Sequence, residues 1–222
     1  MRITTQMLNE SARQAGLPIN RSTLLDYIKN DGATNPLLEA MNRNKENVAN
    51  TAKKSNYEKL DKEADQLTQS AQVLLQNGEN SLFEQAKASG DNQKVYDSIE
   101  NLFENYNSTL KALRTTSNTM NDFYRQMLLE APAETKESLA GVGITFAKDG
   151  TATVDMEKVK AADFTTLEGL FGKDSDFVNK VEFLSTRISD NAEANVESLS
   201  SAYNAGGNLY SAINSSKYDF WG

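Results

Sequence analysis

The sequence predicts a mainly α protein: an elongated antiparallel bundle of long helices with coiled-coil character, carrying one small β-hairpin. Three observations predict it. Apolar residues recur at alternating steps of three and four over three long stretches, which places a continuous seam on one face of each helix. Only 3 prolines occur in 222 residues, so little interrupts those stretches. Between Leu139 and Gly172 the rhythm changes, and Gly143 to Asp155 alternate as a strand pair does.

Residues 1–35 are expected to form a flexible, polar N-terminal segment with two short apolar clusters, Ile3, Met7, Leu8 and then Leu24, Leu25, Ile28. Gly16, Pro18 and the turn signal Asn30-Asp31-Gly32 divide it. A helical rod spans 36–205. Its first helix is expected to start at Pro36 with Asn35 as N-cap and to run to about Gln76, with Gly78 as C-cap. Tyr57, Leu60, Ala64, Leu67, Ala71 and Leu74 make its seam, and the alanines let a partner helix approach closely. After a loop around Gly90-Asp91-Asn92, a second seam runs Val95, Ile99, Leu102, Tyr106, Leu110, Leu113, Ser117, Met120, Tyr124, Met127. It predicts one helix from 93 to 130, about 55 Å long. Ala131-Pro132 ends it, because proline disfavours helical geometry in the residue before it.

The hairpin, at 143–155, follows from side-chain parity. A two-residue turn at Asp149-Gly150 would pair Phe146 with Thr153 and Ile144 with Asp155, leaving the apolar face half polar. A three-residue loop, Lys148-Asp149-Gly150, pairs Phe146 with Ala152 and Ile144 with Val154 and makes that face wholly apolar. A lone hairpin is marginal in water, so the face must lie on helices. A short amphipathic piece then runs from Met156 to Phe171 through Val159, Phe164, Leu167 and Leu170. Asp174 or Ser175 caps a last helix with Phe177, Val181, Leu184, Ile188, Ala192, Val196, Leu199 and Tyr203 on its seam. Gly206-Gly207 breaks it, and residues 206–222 form an aromatic tail ending Tyr218-Asp-Phe-Trp-Gly222.

Composition narrows the chemistry. With no cysteine and no histidine, the chain has no thiol nucleophile, no disulfide, no common zinc or iron-sulfur ligand set and no Ser-His relay. Asp174-Ser175-Asp176 and Asp149 lack the spacing of a calcium loop, and capping and turn formation account for them. The acidic side chains Glu182, Asp190, Glu193 and Glu197 suit a solvated helix face, and Gly141 and Gly143 lack the third glycine of a dinucleotide site. The expectation is therefore a non-enzyme without cofactor or metal. A net charge of -8 disfavours nucleic acid and anionic membrane surfaces, and no apolar run of spanning length calls for membrane insertion.

From about Leu102 to Phe177 the chain resembles the C-terminal helical core of the bacterial flagellar filament cap protein family, hook-associated protein 2. The resemblance rests on Phe103-Glu-Asn-Tyr106-Asn107, on Leu139-Ala-Gly-Val-Gly143-Ile-Thr-Phe-Ala-Lys-Asp-Gly-Thr151, on Val154-Asp-Met-Glu-Lys-Val159 and on Gly169-Leu-Phe-Gly172. The opening Met1-Arg-Ile-Thr-Thr-Gln-Met7 is similar to the start of flagellin and hook-associated protein 3. The cap family carries bulky β domains between its helical arms, for which only Asn77 to Asn92 is available here. The resemblance implies a structural component of the flagellar axial assembly, extracellular, exported through a type III channel and packed as a coiled coil against other axial subunits or itself. It implies an export chaperone as a further partner. Ile3, Met7, Leu8, Leu199, Leu209, Tyr210, Ile213, Phe220 and Trp221 are the candidate contacts. The alternative is a cytoplasmic helical adaptor or export chaperone that binds flagellar clients beside its Ala-rich seam.

Overall fold

The computed structural model describes residues 36–204, together with Glu10 and Gln14, and the surroundings of side chains from 48 to 200. The expected N-terminal segment, the Asn35 cap and the aromatic tail lie outside the described residues. Contacts divide the chain into residues 1–48 and 49–222, and the packing below is that of the second unit. Residues 36–204 form eight helices: α1 (Pro36–Leu75), α2 (Leu82–Ser89), α3 (Gln93–Thr115), α4 (Thr119–Glu130), α5 (Lys136–Gly141), α6 (Met156–Ala161), α7 (Phe164–Phe171) and α8 (Asp176–Asn204). Strands β1 (Ile144–Phe146) and β2 (Ala152–Val154) sit between α5 and α6. The mainly α class with one small hairpin is the class the sequence predicts.

The first seam closes within one chain. Leu60, Ala64, Leu67 and Ala71 are fully buried and Leu74 nearly so, between α3 and α8. Thr109 on α3 donates to the Glu63 carbonyl of α1 at 3.0 Å, and Asn105 donates to Ser70 Oγ at 2.7 Å. Side chains that reach a neighbouring helix's backbone need a close approach, which Ala64 and Ala71 permit. On the other flank Gln72 donates to Glu182 at 3.0 Å, the Thr68 and Ser185 hydroxyls meet at 2.8 Å, and Ser189 Oγ lies 2.7 Å from an Asp65 carboxylate oxygen. The partner number falls as the α1 number rises, so α1 runs antiparallel to α3 and to α8.

The expected 55 Å helix is two helices. Thr115, Thr116, Ser117, Asn118 and Thr119 are five consecutive residues whose side chains are β-branched or compete for backbone bonds. The Thr116 hydroxyl donates back to the Ala112 carbonyl at 2.9 Å, and Asn118 Oδ1 caps α4 by accepting from the Asn121 N–H at 2.8 Å. The chain reverses there, and Tyr106 OH of α3 donates to the Leu128 carbonyl of α4 at 3.0 Å. The reversal also turns α4 on its axis relative to the expected seam. Asn121 and Leu128 face the core, whereas Ser117 is exposed and Met120 and Met127 stand 50% and 38% exposed.

Three smaller corrections share a cause, local capping. α1 ends at Leu75, and Gly78, at φ +80°, opens a turn in which the Ser81 N–H donates to its carbonyl at 2.9 Å. The stretch 77–92, for which no element is expected, contains α2, started by Ser81, whose Oγ accepts from the Glu84 N–H at 3.2 Å, and stopped by Gly90 at φ +72°. The single piece 156–171 is α6 and α7, each begun by its own aspartate: Asp155 accepts from the Lys158 N–H at 3.3 Å and Asp163 from the Thr166 N–H at 3.0 Å. Of the two candidate caps for α8, Ser175 takes the role, accepting from the Val178 N–H at 3.1 Å.

The hairpin has the expected register, Ile144 with Val154 and Phe146 with Ala152. The Ala147 N–H donates to the Thr151 carbonyl at 2.9 Å, which leaves Lys148-Asp149-Gly150 as the loop, with Gly150 at φ +84°. Ile144 and Ala152 are buried, while Thr145 and Thr153 face out.

Candidate interaction surface

Phe103 is the centre of the packing that seats the hairpin. Its ring centroid lies 5.8 Å from Phe177, 6.0 Å from Phe171, 6.1 Å from Phe146 and 6.4 Å from Tyr106. These rings come from α3, β1, α7 and α8, so one cluster joins four elements far apart in sequence. Edge-on and offset contacts of this kind add to the burial of each ring. Burial also raises the Tyr106 hydroxyl pKa, holding it neutral as the donor to Leu128.

One residue further along α3, Asn107 clamps the hairpin. Its Nδ2 donates to the Ala152 carbonyl at 2.8 Å, and its Oδ1 accepts from the Ala152 N–H at 2.8 Å. The amide thus satisfies both backbone groups of a residue that β1 alone leaves open on its outer edge. Asn107→Asp would keep the acceptor and turn a second carboxylate oxygen toward the Ala152 carbonyl. A loss of about 2 kcal/mol is expected in urea unfolding. An unchanged midpoint would show that the clamp contributes nothing.

Arg114 holds the loop from outside, with its guanidinium 3.3 Å from the Asp149 carboxylate and a second bond to the Asp149 carbonyl. The Thr151 N–H and hydroxyl, followed by Arg114, hold the Asp149 carboxyl below its ordinary range. On the other side α2 is pinned to α7 by Phe83 against Phe164, 5.7 Å between centroids, and by Lys87, which bridges Glu168 at 2.7 Å and Glu84 at 2.9 Å. The Glu168 and Glu84 hydrogen bonds raise the Lys87 pKa.

A polar layer closes the opposite end of the α3–α4 pair. Asn121 is fully buried, yet its Nδ2 donates to the Thr116 carbonyl at 2.7 Å and its Oδ1 accepts from Asn191 of α8 at 2.9 Å. Asn118 Nδ2 donates to Tyr57 OH of α1 at 2.6 Å. Among the described residues no buried side-chain nitrogen or oxygen lacks a hydrogen bond, so this layer fixes register without an unsatisfied group. Past it, α8 continues to Asn204 with Val196 and Leu199 half-buried.

Among the described residues, two stretches group apolar side chains that the fold leaves partly or largely open. The first is this outer stretch of α8, where Leu199 stands. Leu199 is the one candidate contact within the described residues; Ile3, Met7, Leu8, Leu209, Tyr210, Ile213, Phe220 and Trp221 lie outside them. The second is a stripe on α4, where Met120, Phe123 and Met127 are 50%, 56% and 38% exposed at helical spacing. Sequence reasoning missed it because it extended the α3 seam through Met120 and Met127. The polar run from Thr115 to Thr119 was the signal that could have found it.

Among the described residues no group of three or more Asp or Glu side chains could hold a metal ion, and no helix is long and apolar enough to cross a membrane. A groove of about 300 Å³ between α1 and α3 is lined by Gln66, Gln69, Ser70, Val73, Ser98, Asn101 and Asn105, with no ionisable group. Comparison with protein families, with curated proteins and with solved structures finds no match to the chain.

Proposed function

We propose that the protein is a non-enzymatic structural component of the bacterial flagellar axial assembly, related in its core to the filament cap family and working by helix packing between subunits. One observation carries this reading. The separate sequence blocks that resemble the cap family meet in a single packing unit: Phe103, Tyr106 and Asn107 from the first, Ile144 and Phe146 from the second, and Phe171 from the last. Residues scattered over some seventy positions of sequence thus serve one purpose, seating the hairpin on α3 and α8.

The outer part of α8 supports the mode of assembly. Val196 and Leu199 continue the apolar seam beyond the polar layer, where α3 and α4 no longer cover it. A half-buried seam of this kind gains burial when a helix of another axial subunit or of a second copy packs on it. The other candidate contacts, at both ends of the chain, would serve the same assembly, and an export chaperone would cover Leu199 before secretion.

Leu199→Glu tests the contact. Leu199 is half-buried and outside the fully buried core, so the variant is expected to lose about 1 kcal/mol and to melt within a few degrees of the parent. Its recovery in sheared flagella is expected to fall at least tenfold, since a carboxylate would have to be desolvated in the contact. Normal incorporation would remove Leu199 from the interface. The adaptor alternative places its client groove beside the Ala-rich seam, where Gln66, Gln69, Ser70 and Val73 line the groove between α1 and α3; an adaptor would stay inside the cell.

A further inference from the structure

We propose that Asn77 is a site of spontaneous isoaspartate formation, the reaction in which the next backbone nitrogen closes on the asparagine side chain. The Gly78 nitrogen gives up its proton to hydroxide and bonds to Asn77 Cγ; the Cγ–Nδ2 bond breaks, and ammonia leaves with a proton taken from water. Water then opens the five-membered imide at either carbonyl, which yields an isoaspartate or an aspartate at position 77. Water is the only co-reactant, and nothing is oxidised or reduced. Three features of the turn between α1 and α2 suit the reaction. Asn77 and Gly78 are both exposed, and α1 has already ended at Leu75. Among the described residues neither the Asn77 amide nor the Gly78 N–H makes a hydrogen bond. Even a β-carbon added at Gly78 would meet nothing within 4 Å, so the two groups have room to close on each other.

Two comparable sites are closed by the fold. In Asp149-Gly150 the Gly150 N–H donates to the Ala147 carbonyl at 2.9 Å, and the Asp149 carboxylate is held by the Thr151 N–H at 3.0 Å, by the Thr151 hydroxyl at 2.9 Å and by Arg114. Asn80 is followed by Ser81, whose N–H donates to the Gly78 carbonyl at 2.9 Å and whose β-carbon crowds the attacking nitrogen. A nucleophile reacts from a near-attack geometry, which an engaged N–H or a fixed carboxylate does not reach. Asn77-Gly78 carries neither restraint. The product changes the turn in two ways. It adds a carboxylate to a groove that Glu79, Glu84 and Glu168 already line, and isoaspartate adds a carbon to the main chain between Leu74 and Ser81, both buried. The site is independent of the axial-assembly reading and stands or falls separately from it.

Peptide mapping of the full-length protein, incubated at mildly alkaline pH and sampled over weeks, tests the assignment. Mass spectrometry quantifies the conversion of amide to acid at each asparagine, and a labelled methyl group transferred by an isoaspartyl methyltransferase marks isoaspartate. Conversion at Asn77 is expected to be at least about tenfold faster than at Asn80, with the label on the peptide that carries residue 77. Asn77→Gln should clear that peptide of label and leave far-UV circular dichroism unaltered. Asp149 should stay unlabelled in the folded protein and become labelled in urea, where its hydrogen bonds are gone. Conversion at Asn77 no faster than at Asn80 would overturn the proposal. So would an increase of more than about tenfold at Asn77 on unfolding in urea, because it would show that the fold holds the two groups apart.

Discussion

Phe103→Ala should lower the unfolding free energy by about 3–5 kcal/mol, the range for removing a fully buried ring from a packed core. The ring is surrounded by Tyr106, Phe146, Phe171 and Phe177, and rings held on packed elements relax only partly into such a void. Against a typical total of about 5–15 kcal/mol, such a loss would leave a variant near the edge of folding. Urea unfolding checks it. A change below about 1 kcal/mol would show that the cluster does not hold the four elements together.

Gly143→Ala should also be costly, although it adds only a methyl group, and Gly141→Ala, two residues earlier, should be harmless. Gly143 has φ +96°, a region that side-chain-bearing residues rarely occupy, and a Cβ there would lie 2.7 Å from Lys158 Cβ and 2.9 Å from the Asp155 carbonyl oxygen. Neither neighbour is the free end of a flexible side chain. Both belong to the start of α6, so relief requires that helix to shift off the hairpin. Backbone strain and overlap together make a cost of about 2–4 kcal/mol. At Gly141 a new Cβ would meet nothing within 4 Å, and exchanging glycine for alanine in α5 should leave stability level or raise it by about 0.5–1 kcal/mol. Thermal melting of the pair tests both. Equal melting temperatures would contradict the placement of α6 against the hairpin's entry.

The elements that the sequence announces are those whose signal is repeated. The α1 seam from Leu60 to Leu74 offers five apolar positions in one register, and all five are buried. The hairpin register follows from parity, because slipping by one residue would turn Ile144 and Phe146 toward polar partners. What escaped were single-residue events. Asn118 reverses the chain through one cap, and that cap changes which face of α4 is core. A periodic pattern continues across such a break by chance: Tyr124 still packs against the core, while Met120 and Met127, at the expected spacing, fall on the exposed face. α2 was legible in Ser81 and Glu84 but was overlooked because eight residues carry little periodicity.

Of the surface, the sequence placed Leu199 on α8 and missed the α4 stripe. The Asn107 clamp could not be read from local pattern, since its partner Ala152 is distant in sequence and the contact runs through backbone groups that any residue has. Only the resemblance pointed at Asn107, and it gave no role for it.

The central claim, that the chain is an axial flagellar component, is tested most directly by locating the untagged protein. Cells of the native host are sheared, filaments are separated from cell bodies, and peptides of this chain are quantified by mass spectrometry in each fraction. The protein is expected in the sheared filament fraction, depleted when filament assembly is blocked. Confinement to the cell interior, with intact filaments that contain none of it, would contradict the account and favour the cytoplasmic adaptor.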